Sequence, residues 1–167
     1  METSIPAAVI AALLMVSAMV LARSGYQSFD GLSQSWMAME ARAGEQARTE
    51  LTITNVRDRV GAVFDVDLRN DGSTRLAEFD RMDLVVQYTD NSSTFVVAWI
   101  PYTDGPLESN TWVVQSITDD AFEPGIINPG ETLEMKFELD PPAGNGTTNR
   151  LLISTELGVT VSATFTE

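Results

Sequence analysis

The sequence predicts an α+β protein in which a long N-terminal hydrophobic α-helix is followed by an antiparallel immunoglobulin-like β-sandwich head. Two observations predict this fold. Apolar residues recur every three or four positions up to about residue 48, and every second position after it. Turn sequences rich in Gly, Pro, Asn and Asp separate the later runs at regular spacing. We therefore divide the chain into a membrane or filament-core helix at 1–48 and a β-sandwich outer domain at 49–167.

The first element is an uncharged segment, which runs from Ile5 to Ala22 and is closed by Arg23. As a helix it would be ~27 Å long, close to the hydrocarbon thickness of a bilayer. Three interpretations remain open: a secretory signal peptide cut near Ala22, a plain membrane anchor, and a helix that packs against other helices. The first is disfavoured because the only charge ahead of the segment is Glu2, whereas signal peptides begin with basic residues.

The helical pattern continues past the segment of membrane length. Its apolar positions are three or four residues apart, at Tyr26, Phe29, Leu32, Trp36 and Met39. We therefore predict one helix from about Ser4 to Arg48, ~67 Å long. Three glycines interrupt the good helix formers, at Gly25, Gly31 and Gly44, and they indicate either a bend or melted stretch, or glycines tolerated within a continuous helix.

A helix of this length cannot be covered by one small domain, so we expect it to pack against helices of other subunits. Small residues at i and i+4 allow close approach of helix backbones, as at Ala7/Ala11, Ala8/Ala12 and Ala18/Ala22. The large apolar residues are the candidate polymerisation surface: Ile5, Val9, Ile10, Leu13, Leu14, Val16, Val20, Leu21, Tyr26, Phe29, Leu32 and Trp36.

Alternating apolar and polar residues predict the strands of the head. The predicted strands lie at 51–54, 62–69, 82–88, 94–100, 111–117, 133–139, 151–154 and 159–166. The segment 94–100 is apolar at almost every position, which predicts a central strand. Asp65, Asp67, Glu134 and Glu138 fall on the polar side of their strands, where we expect them to face solvent.

The composition excludes several classes of function. The chain has no cysteine and no histidine, so disulfides, thiolate zinc sites and histidine general bases are absent. Residues 1–48 hold four of the 24 acids and three of the ten bases, which leaves 20 acids and seven bases, a net −13, for residues 49–167. This acidity argues against nucleic-acid binding. No arrangement of nucleophile and base is visible, so we predict that the protein is not an enzyme, has no catalytic residue and needs no cofactor.

Three sets of polar or aromatic residues are candidate sites. Asn91-Ser92-Ser93 and Asn145-Gly146-Thr147 are N-glycosylation sequons in predicted turns, which makes Asn91 and Asn145 candidate glycosylation sites. Five aspartates could supply oxygen ligands to calcium, but they lack EF-hand spacing, and we expect solvated acids and no metal site. They are Asp65, Asp67, Asp104, Asp119 and Asp120. Four aromatic residues could form a ligand platform, although packing in the core or between heads is favoured: Trp99, Tyr102, Trp112 and Phe122.

The architecture of the whole chain resembles archaellin, the subunit of the archaeal swimming filament, within the type IV pilin-like superfamily, and residues 1–50 are the specific part of the resemblance. The residues that carry the resemblance are Ile5 to Ala22, the stripe from Tyr26 to Met39, and the entry into the sheet at Thr49 to Ile53. Type IV pilins usually carry a glutamate five residues from the mature end, where this chain has Ile5. That difference favours archaellin over bacterial pilin.

The resemblance implies a function and a set of partners. In that family a peptidase removes a short basic leader, the helix moves from the membrane into the filament core, and the heads form the outer surface. It implies a structural subunit of an extracellular cell-surface filament for swimming, a helical homo-oligomer that is inserted in the membrane before polymerisation and handled by the filament assembly machinery. The alternative is a membrane-anchored accessory, stator or adhesion protein of the same machinery, whose β-sandwich binds the cell envelope.

Overall fold

A computed structural model of the chain describes residues 4–59, 62–120 and 122–167, with helix side chains from residue 8 onward. Glu2 lies outside the described residues, as do the side chains of Ile5 and Ala7. The chain forms two compact units, one ending at Ala43 and the other spanning Gly44–Glu167. The last turn of the N-terminal helix therefore belongs to the second unit.

The N-terminal helix, α1, spans Ser4–Arg48, as the periodicity predicts. It is continuous through its three glycines, so none of them melts the helix. Its sequence is dominated by Ala, Leu, Met, Glu, Gln and Arg, which lose little conformational freedom in a helix. The hydroxyls of Ser28 and Ser35 donate to the carbonyls of Ser24 and Gly31 four residues earlier, so these polar groups are satisfied within the helix.

The second unit contains eight antiparallel strands in two four-stranded sheets. The strands are β1 (Leu51–Asp58), β2 (Val63–Asn70), β3 (Asp83–Thr89), β4 (Phe95–Ile100), β5 (Trp112–Thr118), β6 (Thr132–Glu138), β7 (Thr148–Ser154) and β8 (Thr160–Thr166). Sheet 1 has the order β1-β2-β6-β5, and sheet 2 has the order β4-β3-β7-β8. The predicted fold class, a long helix followed by an antiparallel β-sandwich, is confirmed.

The core lies between the two sheets, where the inward-facing residues of the alternating strands meet. Phe64 stacks on Phe137 with ring centroids 5.1 Å apart, and the ring of Phe165 meets Phe64 edge-on at 5.0 Å. Trp112 is 1% exposed and lies 4.7 Å from the ring of Tyr102. Each large apolar side chain that leaves water contributes about 1.5–3 kcal/mol, so this layer stabilises the head.

Two β-bulges shift the alternation inside strands β1 and β5. The pairing of β1 with β2 is irregular between Ile53 and Asn55, and that of β5 with β6 between Val114 and Ser116. Each bulge inserts one residue, so the next apolar residue returns to the inner face. Val56 faces the core for this reason, and β1 extends to Asp58, beyond its predicted end.

Strand β4 is at the edge of sheet 2, so its prediction as a central strand is wrong. It pairs with β3 on one side, and the sheet order ends there. Its inward residues Val96, Ala98 and Ile100 contact the core, whereas Phe95, Val97 and Trp99 are exposed on the outer face. An uninterrupted apolar run is compatible with burial on both faces, but here no layer covers the second face within the described chain.

Burial raises the pKa of the Glu156 carboxyl in the turn between β7 and β8. The nearby Glu78 raises it further, while a backbone hydrogen bond at Glu156 and the guanidinium of Arg81 lower it. One carboxylate oxygen, Oε2, is buried without a hydrogen bond from the described residues. The charged form of Glu156 is therefore disfavoured in the folded state.

We expect Glu156→Gln to raise the melting temperature of the protein at pH 7 by a few degrees. Because the pKa of this acid is raised on folding, its destabilising effect is absent below the ordinary glutamate pKa of 4.5, grows as the pH rises from there to the folded pKa, and is constant above it. The difference in melting temperature between variant and wild type should therefore vanish below about pH 4.5. Glu108→Gln, which removes the same charge from an exposed loop, is the control and should change little. Equal effects of both variants would contradict the prediction.

Candidate functional site

The large apolar side chains of α1 are exposed on every side of the helix. From Val9 to Trp36 the eleven described members of the candidate polymerisation surface are 54–76% exposed. The stretch Ala8–Arg48 is long and apolar enough to cross a membrane, with a mean hydropathy of 1.9 in its most apolar window and none of that window buried. A helix that is apolar all round is stable only within lipid or among other helices.

The helix is longer than a membrane requires. At 45 residues it extends ~67 Å, about twice the ~30 Å hydrocarbon thickness. Tyr26, Phe29 and Trp36 lie beyond the uncharged segment and are 66–76% exposed. A plain anchor would leave this aromatic stripe in water. The second half of the helix therefore calls for a protein partner.

The end of the helix is joined to the head by hydrogen bonds rather than by a flexible linker. In the turn after β2, the Ser73 N–H donates to the Arg48 carbonyl at 2.8 Å, and the Asp71 and Gly72 N–H groups donate to the Glu50 carbonyl at 2.9 Å each. Within the helix end, the Thr49 hydroxyl donates to the Glu45 carbonyl. These bonds satisfy carbonyls that a helix C-terminus leaves free. We call residues 45–50 together with the turn 71–74 the junction clamp.

Asn70 and Gly72 position the junction clamp. Asn70 is fully buried; its side-chain amide donates to the Thr74 and Ile127 carbonyls, and its Oδ1 accepts the Gly72 N–H. A Cβ on Gly72 would lie 2.5 Å from both the Arg48 carbonyl oxygen and the Glu50 amide nitrogen. The sequence predicts a turn at Asn70-Asp71-Gly72, but nothing in it indicates this close approach to the helix end.

A polar cleft of about 160 Å³ lies on the outer face of sheet 1. Arg59 pairs with Asp65 Oδ2 there, and Glu134 accepts hydrogen bonds from the Ser116 and Thr118 hydroxyls. The other oxygen of Asp65, Oδ1, is buried without a hydrogen-bond partner among the described residues. The two carboxylates bind different groups and are not a proton-sharing pair. The cleft is lined by Arg57, Arg59, Asp65, Gln115, Glu134, Met135 and Lys136.

Asp65 does not face open solvent, contrary to the sequence-based prediction. The residue is 8% exposed, although it lies on the outer face of sheet 1. The reason is the long side chain of Arg59, which reaches back over the sheet and pairs with it. Asp67 is similarly half-buried beneath Arg57, at an N–O distance of 2.6 Å.

The other candidate residues separate into buried and exposed ones. Among the described residues, no three or more acids come together in a way that could hold a metal ion, so the candidate calcium ligands do not converge. Tyr102 and Trp112 pack on each other in the head, whereas Trp99 and Phe122 are 61% and 70% exposed. The four aromatic residues therefore do not form one platform.

Both sequons lie at the same end of sheet 2. Asn91 is exposed in the turn between β3 and β4, and Asn145 is exposed in the loop before β7. These loops are joined by an antiparallel bridge between Asp90 and Ala143 and by a 2.7 Å hydrogen bond from the Gly144 N–H to the Thr89 carbonyl. Both asparagines are therefore exposed in neighbouring loops.

We expect glycopeptide mapping of the protein from its source cells to find an added mass on Asn91 and Asn145. Exposure and the sequon supply the acceptor that N-glycosylation needs. Asn55 is equally exposed but has no Ser or Thr two positions later, so it is the internal control and should be unmodified. Asn91→Gln and Asn145→Gln should each remove the added mass of one glycan. Unmodified peptides at both positions would refute the prediction.

The sequence matches no protein-family model and no curated protein, but the fold matches solved structures. The archaeal flagellum of Methanospirillum hungatei strain JF1 aligns with a TM-score of 0.61 at 14% identity, covering 98% of this chain and 93% of that chain. Archaeal flagellin FlaB1 from Methanocaldococcus jannaschii aligns with a TM-score of 0.53 at 15% identity, covering 71% and 89%. The archaellum periplasmic stator protein FlaG from Sulfolobus acidocaldarius aligns with a TM-score of 0.54 at 20% identity, covering 70% and 99%.

These matches share the fold of this chain. An alignment over 98% of the chain must include the N-terminal helix as well as the head, whereas the other two leave about 30% of the chain unmatched. The chain therefore has the fold that these archaeal filament and stator proteins share.

Proposed function

We propose that this protein, which has the archaellin fold, is a structural subunit of an extracellular helical filament used for swimming. The observation that carries the proposal is α1: a helix of 45 residues whose large apolar side chains are exposed on all sides. Residues 1–48 form the filament core, and residues 49–167 form its outer surface. The protein is a homo-oligomer whose role is mechanical and not enzymatic.

Assembly moves the helix from lipid into a core of other helices. Both surroundings are apolar, so the hydrophobic effect favours neither, and close packing between helices has to supply the difference. The small residues at i and i+4, such as Ala8/Ala12 and Ala18/Ala22, support that packing. The membrane therefore holds the subunit before assembly, and the assembly machinery transfers it to the filament.

The junction clamp supports a mechanical role. Force applied to the end of the helix passes into β1 and into the turn after β2 through backbone hydrogen bonds. A subunit that transmits torque or tension needs such a connection, whereas an anchored binding head works as well on a flexible linker. The acidic head keeps the outer surface of the filament soluble.

A second candidate function is an accessory or stator protein of the same machinery. Its support is the similarity to the FlaG stator protein, which covers 99% of that chain. Such a protein would remain attached to the cell by α1 while its head contacts the envelope.

Electron microscopy of sheared cell-surface material separates the two functions. We expect an epitope tag on the head to label fibres along their whole length, at a stoichiometry that makes this chain the main component. If the tag is found only in membrane fractions and the fibres are unlabelled, the filament proposal is overturned and the accessory role is favoured.

A further inference from the structure

We propose that the outer face of sheet 2 along β4 is a contact surface for the head of a neighbouring copy of this chain. This inference rests on the proposed filament, because the filament places identical heads side by side. We call the exposed residues Phe95, Val97 and Trp99 the β4 patch.

The β4 patch is apolar and continuous with its neighbours on the sheet. Its three side chains are 57–67% exposed, which together amounts to roughly 350 Å² of accessible surface. Trp99 pairs across the sheet with Val85, and Val85 pairs with Leu152, so an apolar row extends from the edge strand into the sheet. Patches of this size on a soluble protein are often functional.

The charge of the head favours contact through this face over any other. The four strands of sheet 2 contain only two charged residues, Asp83 and Arg150, and their charges cancel. Both side chains form hydrogen bonds on the outer face of sheet 2. Asp83 accepts one from the Trp99 indole N–H at 2.9 Å, and Arg150 donates one to the Ser162 hydroxyl. The net −13 of residues 49–167 therefore lies elsewhere. A neighbouring head that binds this face meets no net charge there, which lowers the repulsion between the two heads.

The edge of β4 lacks the features that usually protect an edge strand. Its sequence, Phe95–Ile100, contains no charge, proline or glycine. Soluble proteins normally place lysine, proline or a bulge on such an edge, or cover it, because its free backbone groups pair with other strands. An unprotected apolar edge in an acidic, soluble head is therefore expected to be covered in the working assembly.

The size of the β4 patch fits a contact that forms only within the polymer. A stable interface between free proteins buries about 800 Å² on each partner, more than twice this patch. Free heads should thus remain apart. Subunits held together by their helices present their heads at a high effective concentration, at which a small contact suffices.

Photo-crosslinking tests the partner of the β4 patch. Full-length protein carrying a benzophenone amino acid at Val97 is co-assembled from heavy-isotope and light-isotope copies, irradiated and digested. We expect peptides that join residue 97 of one isotope to residues 49–167 of the other. The same group at Asn55, on the outer face of sheet 1, should crosslink far less. Crosslinks from residue 97 to a different envelope protein, or none in intact filaments, would overturn the proposal.

A charge variant provides the second measurement. Val97→Lys changes the net charge of the head from −13 to −12. If net repulsion alone decided assembly, this variant would assemble more readily than wild type. It also places an ammonium group in the apolar contact, which opposes assembly. We expect these filaments to dissociate at a lower temperature than wild type, while Asn55→Lys filaments do not. Equal dissociation temperatures for both variants would refute the contact.

Absence of wild-type filaments would instead refute the proposed function. Copies reconstituted at high density in lipid vesicles would then test the β4 patch, because α1 keeps their heads at a high effective concentration. Mixed-isotope crosslinks from residue 97 there would support the contact, and their absence would refute it.

Discussion

Replacing Leu13 by aspartate is expected to abolish filament assembly. Leu13 is 62% exposed on α1, and the uncharged segment around it contains no basic residue that could pair with a new carboxylate. A carboxylate at the centre of an apolar helix costs about 2.5–3.5 kcal/mol in membrane insertion. This cost opposes membrane insertion before assembly, and the packed core of helices offers the carboxylate no water either. Fibres in sheared surface material, counted by negative-stain microscopy, should disappear.

Two controls make this result specific to the helix. Leu13→Met preserves volume and apolarity and should assemble normally. Circular dichroism of the Leu13→Asp protein should show an intact β-sandwich, since every residue of the described core follows residue 50. Wild-type numbers of fibres from Leu13→Asp would exclude the apolar side of α1 as the assembly surface.

Gly72→Ala is expected to destabilise the head strongly. The new Cβ would meet the Arg48 carbonyl oxygen and the Glu50 amide nitrogen at 2.5 Å, and both are backbone atoms that cannot rotate away. The turn must therefore move from the helix end and lose its hydrogen bonds to Arg48 and Glu50. We expect a loss of about 2–4 kcal/mol in the free energy of unfolding, or roughly 10 °C in melting temperature.

Gly105→Ala is the matched control for that measurement. A Cβ at Gly105 has one neighbour, the Thr103 hydroxyl at 3.4 Å, an ordinary contact. This variant should change the free energy of unfolding by less than about 1 kcal/mol, since it also restricts the unfolded chain. A Gly72→Ala protein as stable as Gly105→Ala would show that the junction clamp adapts without cost.

The sequence predicts those helices and strands whose spacing of apolar residues lies within the element itself. The helix spans Ser4–Arg48 as expected because its propensities and apolar spacing lie within the segment itself. Strand β6 alternates over its whole length, and Leu133, Met135 and Phe137 are buried as the alternation requires. The fold class follows from these patterns.

The sequence does not predict features that depend on distant partners. β4 has apolar residues on both faces, so its position at the edge is decided only by which strands pair with β3. Asp65 is covered because Arg59 folds back over it, and Gly72 is needed because Arg48 and Glu50 pass beside it. The candidate helix surface could be identified, since its apolar residues are visible in the sequence, but its partners lie in other chains.

The position of the junction clamp along the chain bears on the order in which the subunit folds. The hydrogen bonds within the clamp join residues 45–74 to one another, a short stretch that includes the β1–β2 hairpin, whereas the pairing of β2 with β6 joins Val63 to Glu138. Short loops close at a lower entropic cost, and a chain is synthesised from its N-terminus. The end of the helix can thus be fixed to the first hairpin while most of the sandwich is still being made. In a newly made subunit the helix end would then be joined to the head before most strands of the head exist. This early connection protects the long apolar helix from mispairing with the later strands.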